Sequence, residues 1–409
     1  MGTVTEVRRK LAEARGDFPL LRLNPELAYL DSAATAQKPQ AVLDALNHFY
    51  TATCANIHRS VHRLGERATA DYEAARERAR RFVNAANPQE IVFVRGATEA
   101  VNLVAQTLAR AELRAGDEVL ITGLEHHSNI VPWQMACEAS GATLRVAPIN
   151  DRGEVPLEAF TALLSPRTKI AAFAHISNAL GTVNPVRAMV AAARAAGAAT
   201  LIDGAQAAPH ARIDVQELDC DFYAISGHKM YGPSGIGILY GRERWLERLP
   251  PWQGGGDMIR SVTFEETLYN ELPYKFEAGT PHIAGAIGLG AAIEYLEGWG
   301  LERIARHEHA LLEYGTERLR EIPGLRLIGT AAEKAAVLSF VMEGIHPHDV
   351  GTVLDAAGVA VRAGHHCAQP VMEKFGIAAT TRASLGLYNT REDLDRLARG
   401  LEKTQQMFG

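Results

Sequence analysis

Between residues 70 and 240 the chain alternates short apolar runs with helix-patterned stretches, and this alternation limits the fold more than any other feature. Glu90-Ile-Val-Phe-Val94, Glu118-Val-Leu-Ile-Thr122, Lys169 to Ile176, the runs beginning at Leu201 and Phe222, and Gly237-Ile-Leu-Tyr240 read as strands. Helix patterns fall between them at Thr98 to Arg110, Trp133 to Ser140 and Arg187 to Ala196. Apolar runs this short, separated by helices, predict an α/β fold whose mostly parallel sheet is covered by helices on both faces. Ligands of such a sheet sit outside the carboxyl ends of its strands.

Two of those strand ends carry complementary charges. One reads Leu201-Ile-Asp203-Gly-Ala-Gln206, the other Phe222-Tyr-Ala-Ile-Ser226-Gly-His228-Lys229. A carboxylate and an amine facing one crevice would suit pyridoxal phosphate. Its aldehyde needs a lysine and its ring nitrogen an acidic partner. A strand-end salt bridge is the competing reading. Gly96-Ala-Thr98-Glu99 lies between a strand and a helix. A helix N-terminus there would offer free N–H groups to a phosphate, with Thr98, Ser226 and His228 as further donors. Alternatively, Thr98 simply caps the helix.

The remaining organisation is more irregular. With 409 residues, 47% of them hydrophobic, the chain can build two or three cores. Residues 4–15 are weakly amphipathic, and residues 1–25 are expected to be a helical segment packing on a smaller domain. Residues 26–282 form the expected large domain. Within it, 250–282 is rich in glycine and proline and reads as loop. Residues 283–409 comprise a long helix over 283–320 and a small α+β domain. That domain has expected strands at 337–341, 359–361 and 381–383 and helices at 347–357 and 391–407.

Composition excludes several classes. A net charge of −6 without a basic block gives no footprint for nucleic acid. No apolar run reaches membrane-spanning length, and the first sixteen residues lack the apolar core of a secretory signal. The four cysteines, Cys54, Cys137, Cys220 and Cys367, are far apart and suggest neither a disulfide framework nor zinc. A cytoplasmic location is the expectation. No metal site is expected: His126 and His127 are adjacent, and no third ligand stands at motif-like spacing.

Cys367 differs from the other three. In Arg362-Ala-Gly-His-His-Cys367-Ala-Gln-Pro370 it sits in a glycine-containing loop beside an arginine and two histidines. Positive charge favours thiolate, the nucleophilic form. Further on, Arg382 in Thr381-Arg-Ala-Ser384 offers a bidentate fork for a carboxylate, and Asn178 ends the 169–176 strand within reach of the same role.

Together these segments resemble a known family. Ser226-Gly-His-Lys229-Met-Tyr-Gly-Pro233 with Asp203-Gly-Ala-Gln206 resembles the class V aminotransferase-type pyridoxal-phosphate enzymes. Glu125-His-His-Ser-Asn-Ile-Val-Pro-Trp133, the Arg362–Cys367 loop and Arg382-Ala-Ser384 resemble group II cysteine desulfurases of the SufS type. The likeness runs from Tyr29-Leu-Asp-Ser-Ala-Ala34 to Tyr388-Asn-Thr390. It departs at Ala97, where threonine is common in the family.

The resemblance implies a fold type I architecture and a set of roles. Lys229 would carry pyridoxal phosphate, Asp203 would pair with the ring nitrogen, Gln206 with the ring hydroxyl, and His126 would stack on the ring. Thr98, Ser226 and His228 would hold the phosphate, with Thr280 reaching it from the second subunit of a homodimer. Arg382 and Asn178 would bind the carboxylate of L-cysteine, and His58 would stand at the mouth. Cys367 would take the sulfur as a persulfide and pass it to an acceptor protein of SufE or SufU type, for iron–sulfur cluster assembly. Selenocysteine lyase and another class V aminotransferase or epimerase are the alternatives. A non-catalytic sulfur-transfer scaffold accounts least well for Asp203, Lys229, Arg382 and Cys367 together.

Overall fold

The computed structural model describes residues 11–408. Seven strands form the large sheet: β1 (Ile91–Val94), β2 (Glu118–Thr122), β3 (Thr143–Ala147), β4 (Thr168–Ala174), β5 (Ala199–Asp203), β6 (Phe222–Ser226) and β7 (Gly237–Gly241). Their spatial order is β1-β7-β6-β5-β4-β2-β3. Strands β2 to β6 run parallel, and β7 lies antiparallel between β1 and β6.

The central strands are mostly apolar because both of their faces are covered. Ile91 and Phe93 point into one core with Tyr72, Met189 and Ile293. Val92 and Val94 point into the other with Val101, Leu108 and Trp133. The first face is covered by helices α1 (Arg63–Phe82), α4 (Val186–Ala195) and α5 (Ile283–Trp299). The second is covered by α2 (Ala97–Ala111) and α3 (Val131–Ser140). Burying each such side chain contributes roughly 1.5–3 kcal/mol relative to leaving it in water.

The expected strands and helices appear within one to three residues of their predicted bounds. Strand β3 was not foreseen. It is an edge strand reading Thr-Leu-Arg-Val-Ala, with most of its residues exposed, so it carries no apolar run. The hairpin of Ile259–Val262 with Thr267–Tyr269 falls where only loop was expected.

The expected long helix over 283–320 is two helices, α5 and α6 (Leu301–Arg320). Gly300 breaks it, with φ of +81° and ψ of 118°. Glycine reaches that region at no steric cost.

Beyond the break, β8 (Leu325–Ile328), β9 (Val337–Met342), β10 (Arg362–Gly364) and β11 (Thr380–Ser384) form an antiparallel sheet in the order β8-β9-β11-β10. Its core joins Leu338 and Phe340 to Leu311 of α6, Leu354 of α7 (Pro347–Ala356) and Leu397 of α8 (Arg391–Phe408). Residues 359–360, expected as part of that sheet, instead pair in parallel with Ala28–Tyr29. That contact joins the start of the expected large domain, 26–282, to the expected small domain, 283–409.

Of the expected 4–15 helix, residues 4–10 lie outside the described residues. Leu11–Asp17 is a 3₁₀ turn, followed by a helix over Pro19–Leu23. Phe18 inserts between Tyr231, Tyr295 and Tyr388, and Arg15 pairs with Asp393. The segment therefore touches both sheets' surroundings rather than the small one alone.

Candidate active site

Five strand ends meet at one rim. β1 leads through Gly96 into α2, β2 into the turn bearing His126, and β4 into the segment bearing Asn178. β5 ends at Asp203 and β6 at Ser226, with Lys229 in the next turn. The Gly96 turn lies against β7, where Gly237 makes the approach possible. A Cβ on Gly237 would stand 2.6 Å from the Gly96 Cα and 2.4 Å from the Ile225 carbonyl oxygen.

A crevice of about 390 Å³ opens at this rim, closed from the other side by the 362–367 segment and Arg382. Every candidate residue lines it except His58 and Thr280.

The large-domain wall holds the charged pair. Asp203 is buried and its Oδ1 accepts the Ala205 N–H at 3.0 Å. Burial raises its carboxyl above the ordinary value, against the opposing pull of Lys229 and that N–H. Burial lowers the Lys229 amine to about 8, which Asp203 opposes and Arg382 reinforces. An amine so placed is neutral far more often than a surface lysine.

His126 is held near 3 by burial, with Lys229 adding to the effect. Its Nδ1 accepts the Ser128 N–H at 3.0 Å, which leaves the neutral ring's proton on Nε2. Burial, together with Lys229 and Lys38, keeps His228 near 4.

No side chain caps α2, so Thr98 is not its cap. Instead Ser226 Oγ accepts the Ala97 N–H at 2.9 Å. The uncapped, positive end of α2 thus opens beside Ser226, as an anion cradle requires. Gln206 Nε2 donates to the Ala33 carbonyl at 2.8 Å, tying this wall to the loop after residue 31.

The opposite wall is built differently. His366 and Cys367 both adopt left-handed conformations, with φ of 55° and 54°. Such positions cost of order 1–3 kcal/mol each and persist only where their surroundings hold them. His127 N–H donates to the Cys367 carbonyl at 2.7 Å, and Asn178 Nδ2 donates to the His366 carbonyl at 2.5 Å. His366 Nε2 meets Thr380 Oγ1 at 2.8 Å, while its Nδ1 is buried without a partner. The Cys367 side chain stays exposed in the crevice. Asn178, expected on a substrate carboxylate, has its amide N–H engaged on this loop.

Arg382 is 2% exposed. Its Nη1 donates to the Asn178 carbonyl at 2.9 Å and its Nη2 to Asp31 Oδ1 at 3.3 Å. Its Nε is buried and has no partner. A planar cation at the crevice wall, with N–H groups left over after these two bonds, suits a carboxylate.

The sequence reading missed two residues here. Asp31 binds both Arg382 and Arg362, and its only sequence signal was an acid following a short apolar run. Glu125 is fully buried beside His126. It accepts from Thr122 Oγ1 (2.5 Å), Asn129 Nδ2 (2.6 Å) and the Ala174 N–H (3.1 Å). Burial raises its carboxyl to about 8, which these donors oppose.

His58 and Thr280 lie outside the crevice. His58 Nε2 contacts Glu73 at 3.1 Å, and Glu73 binds Arg76 at 2.8 Å. Arg76 in turn forms a buried pair with Glu277 at 2.7 Å, three residues before the exposed Thr280. Among the described residues no group of three or more histidine, cysteine or carboxylate side chains could hold a metal ion.

The family model for aminotransferase class V matches residues 28–397. A cysteine desulfurase of Synechococcus elongatus is 54% identical over 96% of this chain, which spans 63% of that relative's length. A probable cysteine desulfurase of Halalkalibacterium halodurans is also 54% identical, over 94% of both chains. The crystal structure of an Escherichia coli cysteine desulfurase superposes with a TM-score of 0.92 at 40% identity, covering 98% of this chain and 100% of that one. The chain therefore belongs to the aminotransferase class V family and, within it, to the cysteine desulfurases.

Proposed function

We propose that this chain binds pyridoxal phosphate and converts L-cysteine to L-alanine, keeping the sulfur as a persulfide on Cys367. One observation carries the reading: the thiol of Cys367, from the small sheet's side, lines the same crevice as Asp203 and Lys229.

The residues present fit the cofactor. Asp203 supplies a buried carboxylate, Lys229 a buried amine, and the uncapped end of α2 with Ser226 an anion cradle. Thr98 and His228 line the same cradle. When bound, pyridoxal phosphate supplies an electron sink next to the substrate's Cα.

Arg382, which lines the crevice, holds the substrate carboxylate. Lys229, with its amine lowered to about 8, takes the Cα proton near neutral pH. His126 keeps a neutral ring with its proton on Nε2, available to the crevice. Cys367 Sγ then attacks the substrate sulfur. The S–S bond forms as the Cβ–S bond breaks, and the electron pair stays with the three-carbon fragment. That fragment takes up protons and leaves as alanine, so cysteine plus thiol gives alanine plus persulfide.

His58 and Thr280 are proposed to complete the crevice of a second copy in a homodimer. Support comes from their placement outside their own chain's crevice, with His58 held on Glu73 and Arg76 linking Glu73 to Glu277, three residues before Thr280. The exposure of Cys367 supports transfer of sulfur to an acceptor protein of SufE or SufU type. No described helix is long and apolar enough to cross a membrane. The proposed setting is the cytoplasm, where sulfur transfer would feed iron–sulfur cluster assembly.

Incubating the holoenzyme with L-cysteine should release alanine and add one sulfur atom to the Cys367 peptide, read by mass spectrometry. Alanine release at the parent rate from Cys367→Ala would sink the proposal. Mixed dimers of Lys229→Ala and Thr280→Ala chains test the second-copy role. One intact crevice should restore part of the activity that each homodimer lacks.

A further inference from the structure

The loop after residue 31 carries a lysine that the reaction scheme does not use. Lys38 is half-buried. Its Nζ donates to the Ala36 carbonyl, to the His228 carbonyl at 3.1 Å and to Thr35 Oγ1 at 3.4 Å. All three acceptors are neutral, and among the described residues no carboxylate pairs with this amine. Burial lowers it to about 8, so the charge persists at neutral pH. A charge withdrawn from water is ordinarily paired, because its desolvation is costly.

The place of this charge points to its partner. The His228 carbonyl accepts three donors from one loop: the Ala36 N–H at 3.0 Å, Thr35 Oγ1 at 3.2 Å and Lys38 Nζ. Lys38 is thereby fixed behind the His228 main chain, while the His228 ring lines the cradle with Thr98 and Ser226. The lysine's charge reaches that ring and helps to keep it neutral. The cradle's own donors are therefore uncharged: Thr98, Ser226, the His228 ring and the free N–H groups of α2. Arg95, at the same end, is engaged by Glu99 at 3.0 Å.

We infer that Lys38 is a positioning residue for the cofactor's phosphate. Held behind His228, it gives the cradle a positive charge without lining the crevice itself. Neutral donors orient a phosphate, and the fixed cation behind them offsets its charge where little water can. The phosphate in turn supplies the anion that Lys38 lacks. This role rests on the pyridoxal-phosphate reading of the crevice.

The test titrates the full chain, stripped of cofactor, with pyridoxal phosphate and with pyridoxal, which lacks the phosphate. Imine absorbance gives each affinity. Lys38→Met should weaken pyridoxal phosphate roughly tenfold or more and leave pyridoxal unchanged. Lys38→Gln keeps N–H donors without the charge and should behave as Lys38→Met does. Lys38→Arg keeps the charge and should stay near the parent. Both ligands are read on one protein, so a damaged fold would weaken both and could not mimic a changed ratio. An unchanged ratio in Lys38→Met overturns the inference. So does a Lys38→Gln chain that binds as the parent does, because hydrogen bonds alone would then suffice. Equal loss of both ligands also overturns it, making Lys38 a clamp on the Lys229 turn. A parent that binds pyridoxal as tightly as pyridoxal phosphate would remove the phosphate cradle itself, and the role of Lys38 with it.

Discussion

The two walls of the crevice hold their reactive groups by different means. On the large-domain wall, Asp203, Ser226 and Lys229 stand at or just after the ends of buried parallel strands. Sheet register sets their separation, and burial tunes them, lowering the Lys229 amine to about 8. The Cys367 wall has no such frame. Two consecutive left-handed residues present the thiol, held by Thr380 on their own side and by His127 and Asn178 from the other wall. The first wall is prepared by the core, while the second is held partly through contacts to the first. An electron-sink cofactor needs a fixed bed, whereas a thiol that must receive sulfur and then surrender it needs access.

The largest effects should come from removing each wall's reactive group. Lys229→Ala should lower alanine release by about 10³-fold or more. Cys367→Gly should do the same to sulfur transfer while stabilising the fold by about 0.5–1 kcal/mol, since glycine relieves the positive φ. A denaturant melt with no gain would show that the loop is not strained as its dihedrals indicate. Asn178→Ala should come next. It cuts the hold on the His366 carbonyl while leaving Asp203, Ser226 and Lys229 in place. Turnover should fall roughly 10- to 100-fold with cofactor affinity kept. Equal loss of cofactor affinity would mean that the two walls are one unit.

The same contrast explains what the sequence disclosed. Buried parallel strands carry unbroken apolar runs, so β2, β4, β5 and β6 were readable, and so were the polar residues at their ends. Edge strand β3 mixes Thr143 and Arg145 with exposed aliphatics and left no such mark. β8 and β10 are short and largely exposed or half-buried, and went unseen for the same reason. Asp31 was passed over because its partners are 331 and 351 residues away. No local pattern records a contact of that span. His58 and Thr280 came from resemblance alone, and nothing near either residue in sequence shows that Glu73, Arg76 and Glu277 join them.

Acid should strike the histidines around both walls. His126 and His366 are held near 3, and His175 and His228 near 4, each by burial first. Unfolded, each takes a proton near 6.5, so the unfolded chain binds more protons below that value. Stability should be intact above 6.5 and fall as the pH drops toward 4, by at least about 2 kcal/mol. Denaturant midpoints across that range check this. A flat profile would show that water reaches these rings.

The smallest effect separates the walls most finely. Glu125 lies under the His126 turn, and its carboxyl is raised to about 8, so the folded chain holds a proton that the unfolded chain has released above about 4.5. Its contribution is therefore fully present below 4.5 and is lost as the pH rises through 8. Glu125→Gln cannot titrate. It should start less stable than the parent, because three donors converge on the carboxylate and an amide accepts with one oxygen only. That deficit should shrink between pH 5 and 8, as the parent loses this contribution. Persulfide formation, measured over the same range, should track the His126 turn rather than the Cys367 loop, whose carbonyls accept from His127 and Asn178 and whose His366, held near 3, stays neutral there. A deficit that stays constant with pH would mean that Glu125 is ionised in the fold, with a second full negative charge standing beside Asp203.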